Sequence, residues 1–186
     1  MGRIIYETAA TLNGWIADER HSLDWLFAVE GGDAAQALVP RPAVYVEGST
    51  TYEWVVRHES LLERPARWRE LFEDRPTYVF TTRSLPTPEG ADVRFVSGPV
   101  AHSLPEIRAA AGDGDIWIVG GGELAAQFLD AGALDDIVVT VAPVMLERGA
   151  PLFPRRLESE RLRLRSTQTI GQFVRLAYEV RGPRAA

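Results

Sequence analysis

The sequence predicts a mixed α/β domain of three layers, with a mostly parallel sheet, helices on both faces and an antiparallel hairpin at the C-terminal end. Short apolar segments alternate with helix-forming segments along most of the chain, as in proteins whose parallel strands are joined by helical crossovers. Two longer runs of alternating polarity, 162–170 and 173–180, flank Gly171 and predict the hairpin. A length of 186 residues is typical of one domain, so we expect residues 1–186 to fold as a single one.

The strands are predicted from short apolar and β-branched runs bounded by turn-forming residues. The first, 3–12, is rich in Ile, Tyr, Thr and Ala and ends at Asn13-Gly14, a strong turn signal. The other predicted strands before the hairpin are 43–47, 77–81, 93–96, 115–119 and 137–141.

The helices are predicted from residue spacing and capping signals. A helix over 61–72 is favoured because Pro65 suits a first turn and the apolar residues after it share one face. Ser103 followed by Glu106 has the spacing of a capping box, which predicts a helix over 103–111. The remaining helical segments are 123–131 and, in part, 23–38, which Gly31-Gly32 breaks.

The composition excludes several classes of function. The chain has no Cys, which excludes disulfides, thiolate metal sites and thiol nucleophiles. All 20 basic residues are Arg, so Schiff-base chemistry and the lysine of a phosphate-binding P-loop are also absent. The three histidines, His21, His58 and His102, have no closely spaced partner, and we therefore expect no metal site.

The charge and hydropathy patterns bear on location and partners. A net charge of −6 does not fit a nucleic-acid binder. The most apolar stretch, 137–146, is too short to span a bilayer, and the N-terminal residues lack an apolar signal core. We therefore expect a cytoplasmic protein with no nucleic-acid or membrane partner.

Three consecutive glycines carry the most specific functional signal. Gly120, Gly121 and Gly122 follow the predicted strand 115–119 and precede the predicted helix 123–131. Glycines let the backbone approach a ligand closely, and a helix N-terminus attracts phosphate groups. The alternative is a tight turn that needs glycine only for positive φ angles. The spacing also satisfies the G-x-G-x-x-A dinucleotide pattern, although that pattern belongs after the first strand of a Rossmann domain.

Two further turns follow strands in a similar way. Gly48, Ser49, Thr50 and Thr51 come after one strand, and Thr81-Thr82-Arg83 comes after the next. Hydroxyl groups and an Arg at the carboxyl ends of strands suit phosphate oxygens, and open α/β sheets bind ligands at that edge. Each turn alone is explained by turn chemistry or capping. The three together favour a bound dinucleotide.

These motifs, in this order, resemble the dihydrofolate-reductase-like family. The resemblance covers nearly the whole chain and includes Leu12 to Ala17, Gly48 to Glu53, the triple glycine, and the Pro-Leu-Phe-Pro segment 151–154. It is closest to the branch with the reductase domain of the bifunctional riboflavin-biosynthesis deaminase/reductase and its stand-alone bacterial relatives. The resemblance implies an eight-stranded, mainly parallel sheet that binds NADPH across its strand ends, and a homodimer.

The resemblance also implies roles for particular residues. Thr81, Thr82 and Arg83 would contact the adenosine 2′-phosphate, and Ala9 and Ile16 would flank the nicotinamide. The residues that would hold the pyrophosphate and adjoining ribose are Gly48, Ser49, Thr50, Thr51, Gly120, Gly121, Gly122, Glu123 and Leu124. Three aromatic residues, Trp15, Trp25 and Tyr52, are the candidates for contact with a small-molecule substrate. Trp15 and Trp25 could equally pack against a second subunit.

Two positions depart from the pattern of the riboflavin-pathway enzymes. Trp15 occupies a turn position where those enzymes usually carry Lys, and Ser49 stands where many relatives carry Arg for the 2′-phosphate. The first change weakens the case for a phosphorylated ribosylamino-pyrimidine substrate. The second leaves any preference for NADPH over NADH to Arg83. The chain also has no zinc-binding deaminase motif, and we therefore do not expect it to be the bifunctional enzyme.

Several functions remain open on the sequence alone. The first is an NADPH-dependent reductase of a small heterocyclic or ribosylamino-pyrimidine-type substrate. A reductase of dihydrofolate or another pteridine needs a carboxylate to bind the pterin, and Glu30 and Asp24 are the candidates for it. The others are a nucleotide-binding protein without reductase activity and a standard Rossmann dehydrogenase.

Overall fold

An eight-stranded sheet forms the centre of the computed structural model, which describes residues 2–31 and 41–182. Its strand order is β5-β4-β3-β6-β1-β7-β10-β9, and all neighbours from β5 to β7 are parallel. The strands are β1 (Ile4–Thr11), β3 (Val44–Gly48), β4 (Thr77–Phe80), β5 (Val93–Val96), β6 (Ile116–Gly120), β7 (Asp136–Ala142), β9 (Leu162–Ile170) and β10 (Phe173–Val180). Two short strands, β2 (Trp15–Ala17) and β8 (Ala150–Pro151), pair separately. The antiparallel hairpin of β9 and β10 has the predicted bounds.

Helices cover both faces of the sheet. They are α1 (Asp24–Phe27), α2 (Ser49–His58), α3 (Ala66–Phe72), α4 (Val100–Ala111) and α5 (Gly122–Asp130). On one face, α4 and α5 pack on β1, β3 and β6 in the largest buried apolar cluster. On the other face, α2 and α3 pack on Tyr45 and Val79 in a second cluster. The predicted three-layer arrangement is confirmed.

A third, smaller apolar cluster holds α1 in place. Trp25 and Leu26 of α1 pack against Ile170 and Phe173, where the hairpin turns. At its other end, Phe27 stacks on Trp54 of α2, with ring centroids 6.2 Å apart. These contacts place α1 between the hairpin turn and α2. Helix α1 ends at Phe27, so residues 28–31 of the predicted helical segment are not helical, and its residues 32–38 lie outside the described residues.

Helix α2 was not predicted from the sequence, and the starts of α3 and α4 differ from the predicted ones because of proline. Helix α4 begins at Val100 directly after Pro99, so Ser103 is a buried residue inside the helix and the predicted capping box is wrong. Glu106 instead accepts a hydrogen bond from the Tyr78 hydroxyl, 3.0 Å away. Helix α3 begins only after Pro65, which lacks an N–H and so suits the start of a helix rather than its interior.

The position of the glycine-rich turn in the sheet excludes one hypothesis. The turn follows β6, which lies between β3 and β1. In a standard Rossmann domain it follows the first strand, so the hypothesis of a Rossmann dehydrogenase is wrong. Over the described residues, none of the helices is long and apolar enough to cross a membrane.

Candidate functional site

A cavity of about 770 Å³ opens at the carboxyl ends of the parallel strands. The loops after β5, β4, β3 and β6 contribute to it side by side, and β1 forms part of its floor. Neighbouring strands are about 4.8 Å apart, so the distance from β5 to β1 is roughly 19 Å. The cavity is therefore a long trough that suits an elongated ligand.

The trough collects nearly all of the residues predicted to bind a cofactor. Those that line it are Ala9, Ile16, Gly48, Ser49, Thr50, Thr51, Thr81, Thr82, Gly120, Gly121, Gly122, Glu123 and Leu124. Arg83 is not among the lining residues. The three turns singled out in the sequence thus meet at one site, because β4, β3 and β6 are neighbours in the sheet.

Two helices begin at this trough with their first N–H groups uncapped. Helix α2 starts at Ser49 after Gly48, and α5 starts at Gly122 after Gly121. In neither helix does a side chain form a capping hydrogen bond. Unpaired N–H groups and the partial positive charge of a helix N-terminus attract anions. Two such termini at one cavity favour a ligand with more than one phosphate.

The three glycines of the turn have different reasons to be glycine. None has a positive φ, so the alternative of a turn that needs left-handed backbone is wrong. A Cβ on Gly122 would lie 2.3 Å from the Leu152 carbonyl oxygen, so packing alone requires glycine there. A Cβ on Gly121 would meet only the Ile16 side chain, at 4.0 Å. Gly121 therefore faces open space in the trough, which is the space a close-lying ligand needs.

Arg83 and Glu123, two charged residues predicted to contact a cofactor, are held in ion pairs. Both guanidinium nitrogens of Arg83 contact the Glu53 carboxylate, at 3.1 and 2.5 Å. Arg155 binds both oxygens of Glu123, at 2.8 and 3.0 Å, and lowers the pKa of this carboxyl. Glu123 thus lies ionised at the first turn of α5, where a negative charge complements the helix dipole.

The residues predicted to contact the substrate lie outside the trough. Tyr52 is buried in the second apolar cluster, and its hydroxyl donates to the Pro86 carbonyl oxygen, 2.7 Å away. Trp25 packs in the third cluster, and Trp15 is not among the lining residues. Their positions therefore favour structural roles over contact with a ligand.

The two carboxylates proposed for a pteridine site are also elsewhere. Asp24 is exposed at the start of α1, and Glu30 is exposed in the turn after it. Neither lines the trough. A pterin-binding role for Glu30 or Asp24 is therefore not supported by the geometry.

Several lining residues were not predicted to be functional. Trp54 and Trp117 were not assigned to a site from the sequence, but both line the trough, with Phe27 of α1 beside Trp54. The loop after β5 adds Ser97 and Gly98 at the far end. Trp54 lies on a helix and Trp117 on a strand, at spacings that are also typical of core residues. Only the packing of these elements in the structure shows that both side chains line the trough.

Glu7 is the most informative of the residues that were missed. It lies within the central strand β1, lines the trough and is only 9% exposed. Arg175 of β10 donates two hydrogen bonds to its Oε1, at 3.1 and 2.9 Å. Burial raises the pKa of Glu7, and the contact with Arg175 opposes this increase. An acid inside an otherwise apolar central strand is the sequence signal that could have identified it.

Comparisons with known proteins agree with this architecture. Residues 3–176 match the family model of the RibD C-terminal domain. YwjB of Bacillus subtilis, an uncharacterized protein, is 32% identical over 172 residues, which cover 91% of this chain and 93% of YwjB. A crystal structure of a protein from Shewanella sp. PV-4 named for riboflavin biosynthesis is similar at a TM-score of 0.73 and 24% identity, covering 97% of this chain and 99% of that one.

A dihydrofolate reductase has the same fold. The enzyme from Enterococcus faecalis, solved in complex with NADP(H), is similar at a TM-score of 0.62 and 16% identity, covering 97% of this chain and 98% of that one. The predicted dihydrofolate-reductase-like fold is therefore confirmed. Because the family model spans the sheet and the trough, this chain belongs to the RibD C-terminal domain family.

Proposed function

We propose that this protein is an NADPH-dependent reductase that transfers hydride to a small planar heterocycle, with ribosylamino-pyrimidines as one candidate class. Membership of the RibD C-terminal domain family and the shared fold with dihydrofolate reductase support a reductase-type function. The observation that carries the cofactor assignment is the pair of uncapped helix N-termini at one trough, with the open face of Gly121 between them.

The residues of the trough fit such a cofactor. The N–H groups at the starts of α2 and α5 would hold the pyrophosphate. The hydroxyl groups of Ser49, Thr51 and Thr81 line the same region and can donate to phosphate oxygens. NADPH, when bound, supplies the hydride, and the protein contributes binding, orientation and exclusion of water.

Ala9 and Ile16 form the end of the trough opposite the β5 loop. Both line the cavity, Ala9 on the floor and Ile16 beside Gly121. Small and apolar side chains there leave room for a flat ring and keep water from the reacting face. This is where we place the nicotinamide, as the family resemblance implies.

A direct test is titration of the purified protein with NADPH and NADH while the tryptophan emission is followed. Trp54 and Trp117 line the trough, so a bound dinucleotide is expected to quench their emission. Substituting either tryptophan with Phe should reduce the quenching, whereas Trp68→Phe, in the buried second cluster, should not. Absence of binding by both dinucleotides would refute the proposed function.

A nucleotide-binding protein without reductase activity makes the same prediction for this titration. The two functions are separated by NADPH oxidation, followed at saturating cofactor with candidate heterocycles. Substrate-dependent oxidation supports the reductase, and binding without any turnover supports the other function. The homodimer and the cytoplasmic location stay predictions.

Arg83 is expected to set the preference for NADPH. It lies next to Thr82 of the trough and is held by Glu53, with its side chain about half exposed at 53%. Arg83→Ala should weaken NADPH binding by about 1–3 kcal/mol, because a charge-assisted hydrogen bond to the 2′-phosphate would be lost. NADH, which lacks that phosphate, should bind nearly as before. Equal weakening of NADPH and NADH binding would contradict a contact between Arg83 and the 2′-phosphate.

A further inference from the structure

Glu7 presents an incompletely bonded carboxylate to the trough. Arg175 occupies Oε1 with two hydrogen bonds. Within residues 2–31 and 41–182, both hydrogen bonds to the Glu7 carboxylate come from Arg175 and go to Oε1, and the side chain lines the cavity. Oε2 is therefore open to the cavity and can accept a hydrogen bond from a ligand. A ligand with an N–H group or a positive charge can donate this hydrogen bond.

The position of Glu7 places this oxygen next to the proposed nicotinamide site. Glu7 and Ala9 are two residues apart on β1, so their side chains are on the same face and their Cα atoms are about 6.6 Å apart. The indole N–H of Trp117 donates to the backbone oxygen of Glu7, 2.8 Å away, and fixes the wall on the β6 side. Leu26 and Phe27 of α1 line the same cavity as Glu7.

The charges around the trough argue against an anionic substrate. Among the described residues that line it, none is Arg, and the chain contains no Lys. The nearby guanidinium groups of Arg155 and Arg175 are each paired with a carboxylate, and Arg83 is already assigned to the 2′-phosphate of the cofactor. A phosphate on the substrate would thus meet acids without a cation to neutralise it. The helix N-termini that bind phosphate are already assigned to the cofactor.

The aromatic wall adds a preference for a flat ligand. Trp54 and Phe27 line the trough together, and both rings also stack on His58, which leaves their edges and outer faces for a ligand. Trp117 lines it from the sheet side. Aromatic faces attract cations and stack on planar rings, whereas they do nothing to attract phosphate.

We propose that Glu7 is the substrate anchor of this reductase, and that the substrate is a planar, unphosphorylated compound with a cationic nitrogen or paired N–H donors, which bind Oε2. Arg175 is the positioning residue that holds the carboxylate in place. This inference rests on the proposed function for the role of the ligand as a substrate, but the ligand chemistry follows from Glu7 and its surroundings alone.

The test compares three ring compounds of similar size and different charge in the protein without dinucleotide. Benzamidine is a planar cation, benzamide is its neutral analogue and phenyl phosphate is an anion, and their binding can be followed by calorimetry. We expect benzamidine to bind best and phenyl phosphate least. Glu7→Gln should weaken the binding of benzamidine by about tenfold or more, because a charge-assisted hydrogen bond is lost. The affinity for benzamide should stay nearly unchanged.

A matched control uses an exposed carboxylate outside the trough. Glu63→Gln makes the same chemical change at an exposed position that does not line the cavity. We therefore expect it to change benzamidine affinity by less than about twofold, since no carboxylate oxygen of the trough is lost. An equal loss in both variants would mean that general negative charge, rather than Glu7, binds the cation, and would overturn the proposal.

The pH dependence distinguishes ligand contact by Glu7 from a structural role. The anion of Glu7 is needed, so benzamidine affinity should fall as pH decreases through the Glu7 pKa. Arg175 lowers that pKa, and Arg175→Gln should therefore move the midpoint to higher pH. Arg175 is the charged group in contact with Glu7, and His21 lines the same trough. The pH series is therefore repeated with His21→Gln. An unchanged midpoint of benzamidine affinity assigns the pH dependence to Glu7.

A double variant covers the case in which Glu7→Gln does not fold, and the ligand results separate failure of this proposal from failure of the proposed function. If Glu7→Gln does not fold because Arg175 loses its partner, the double variant Glu7→Gln/Arg175→Gln removes both charges and should show the same loss of benzamidine preference. Failure of benzamidine to bind, or tighter binding of phenyl phosphate, overturns the proposal. Benzamidine binding through Glu7 in a protein that does not bind NADPH would instead refute only the proposed function.

Discussion

Gly121→Asp is expected to weaken NADPH binding by at least about 100-fold, because a carboxylate would lie where the phosphates are to bind and like charges in such proximity cost several kcal/mol. The variant should still fold. Its backbone angles, φ −86° and ψ 179°, are those of extended chain, and a Cβ there would approach only Ile16, at 4.0 Å. The measurements are dinucleotide affinity by calorimetry and thermal unfolding.

Two control variants test whether the loss of NADPH affinity comes from the phosphate site itself. Gly122→Ala should lower the free energy of unfolding, because its Cβ would collide with the Leu152 and Pro151 carbonyl oxygens, at 2.3 and 2.6 Å. Ala109→Asp adds the same charge on an exposed position of α4 and should leave dinucleotide affinity unchanged. Only a small loss of stability is expected from it, because a negative charge in the last turn opposes the helix dipole. If Gly121→Asp bound NADPH as tightly as the unchanged protein, the phosphate site would have to lie elsewhere.

Glu47→Gln is expected to stabilise the protein at neutral and basic pH. Glu47 is fully buried on β3, and neither of its carboxylate oxygens has a hydrogen-bond partner among the described residues. Burial raises its pKa to about 8 from the ordinary 4.5. The carboxyl is therefore neutral in the folded protein at pH 7, and glutamine matches the shape and charge of that neutral form.

The direction of the pH effect follows from the two pKa values. As pH rises above 4.5, the unfolded chain releases the Glu47 proton while the folded protein keeps it until about pH 8. The contribution to stability is thus fully present below pH 4.5 and is lost as pH rises toward 8. Between pH 5 and pH 8 the loss is about 3–4 kcal/mol, at 1.36 kcal/mol for each pH unit.

Urea unfolding at pH 5, 6, 7 and 8 would measure this effect. The unchanged protein should lose stability across the series, and Glu47→Gln should lose less, with the difference growing toward pH 8. Glu63→Gln, at an exposed position, should parallel the unchanged protein. Glu7 also has a raised pKa, but it is present in every variant and cancels in the difference. Parallel curves for the unchanged protein and Glu47→Gln would show that Glu47 is not held neutral in the folded state.

The fold was predictable because its signals are local. Apolar runs of strand length, turn residues at their ends and the alternating pattern of 162–170 and 173–180 each depend on a few neighbouring residues, and the strands of the main sheet follow them closely. Helix α2 and the short strands β2 and β8 were not predicted. The helix starts predicted at Ser103 and at residue 61 were wrong because the capping or spacing signal and a nearby proline favour different starts. At both places a proline determined where the helix begins.

The cofactor side of the trough was also predictable, since three turns in parallel α/β order must meet at the carboxyl edge of one sheet. The substrate side was not. Glu7 and Arg175 are 168 positions apart in the chain and meet only because β1, β7 and β10 are neighbours in the sheet. Tyr52 directly follows a predicted ligand-binding turn, yet its side chain is on the core face of α2.

The amino-acid sequence by itself thus determined the class of fold, the absence of thiol and lysine chemistry, and the turns that gather phosphate-binding groups. Only the tertiary structure decided which glycine faces the ligand and which is required by packing, because Gly121 and Gly122 differ solely in what lies beyond them. It also decided which carboxylates enter the interior. The free energy of a buried charge depends on partners from distant strands, as the pairing of Glu7 and the lack of partners at Glu47 show.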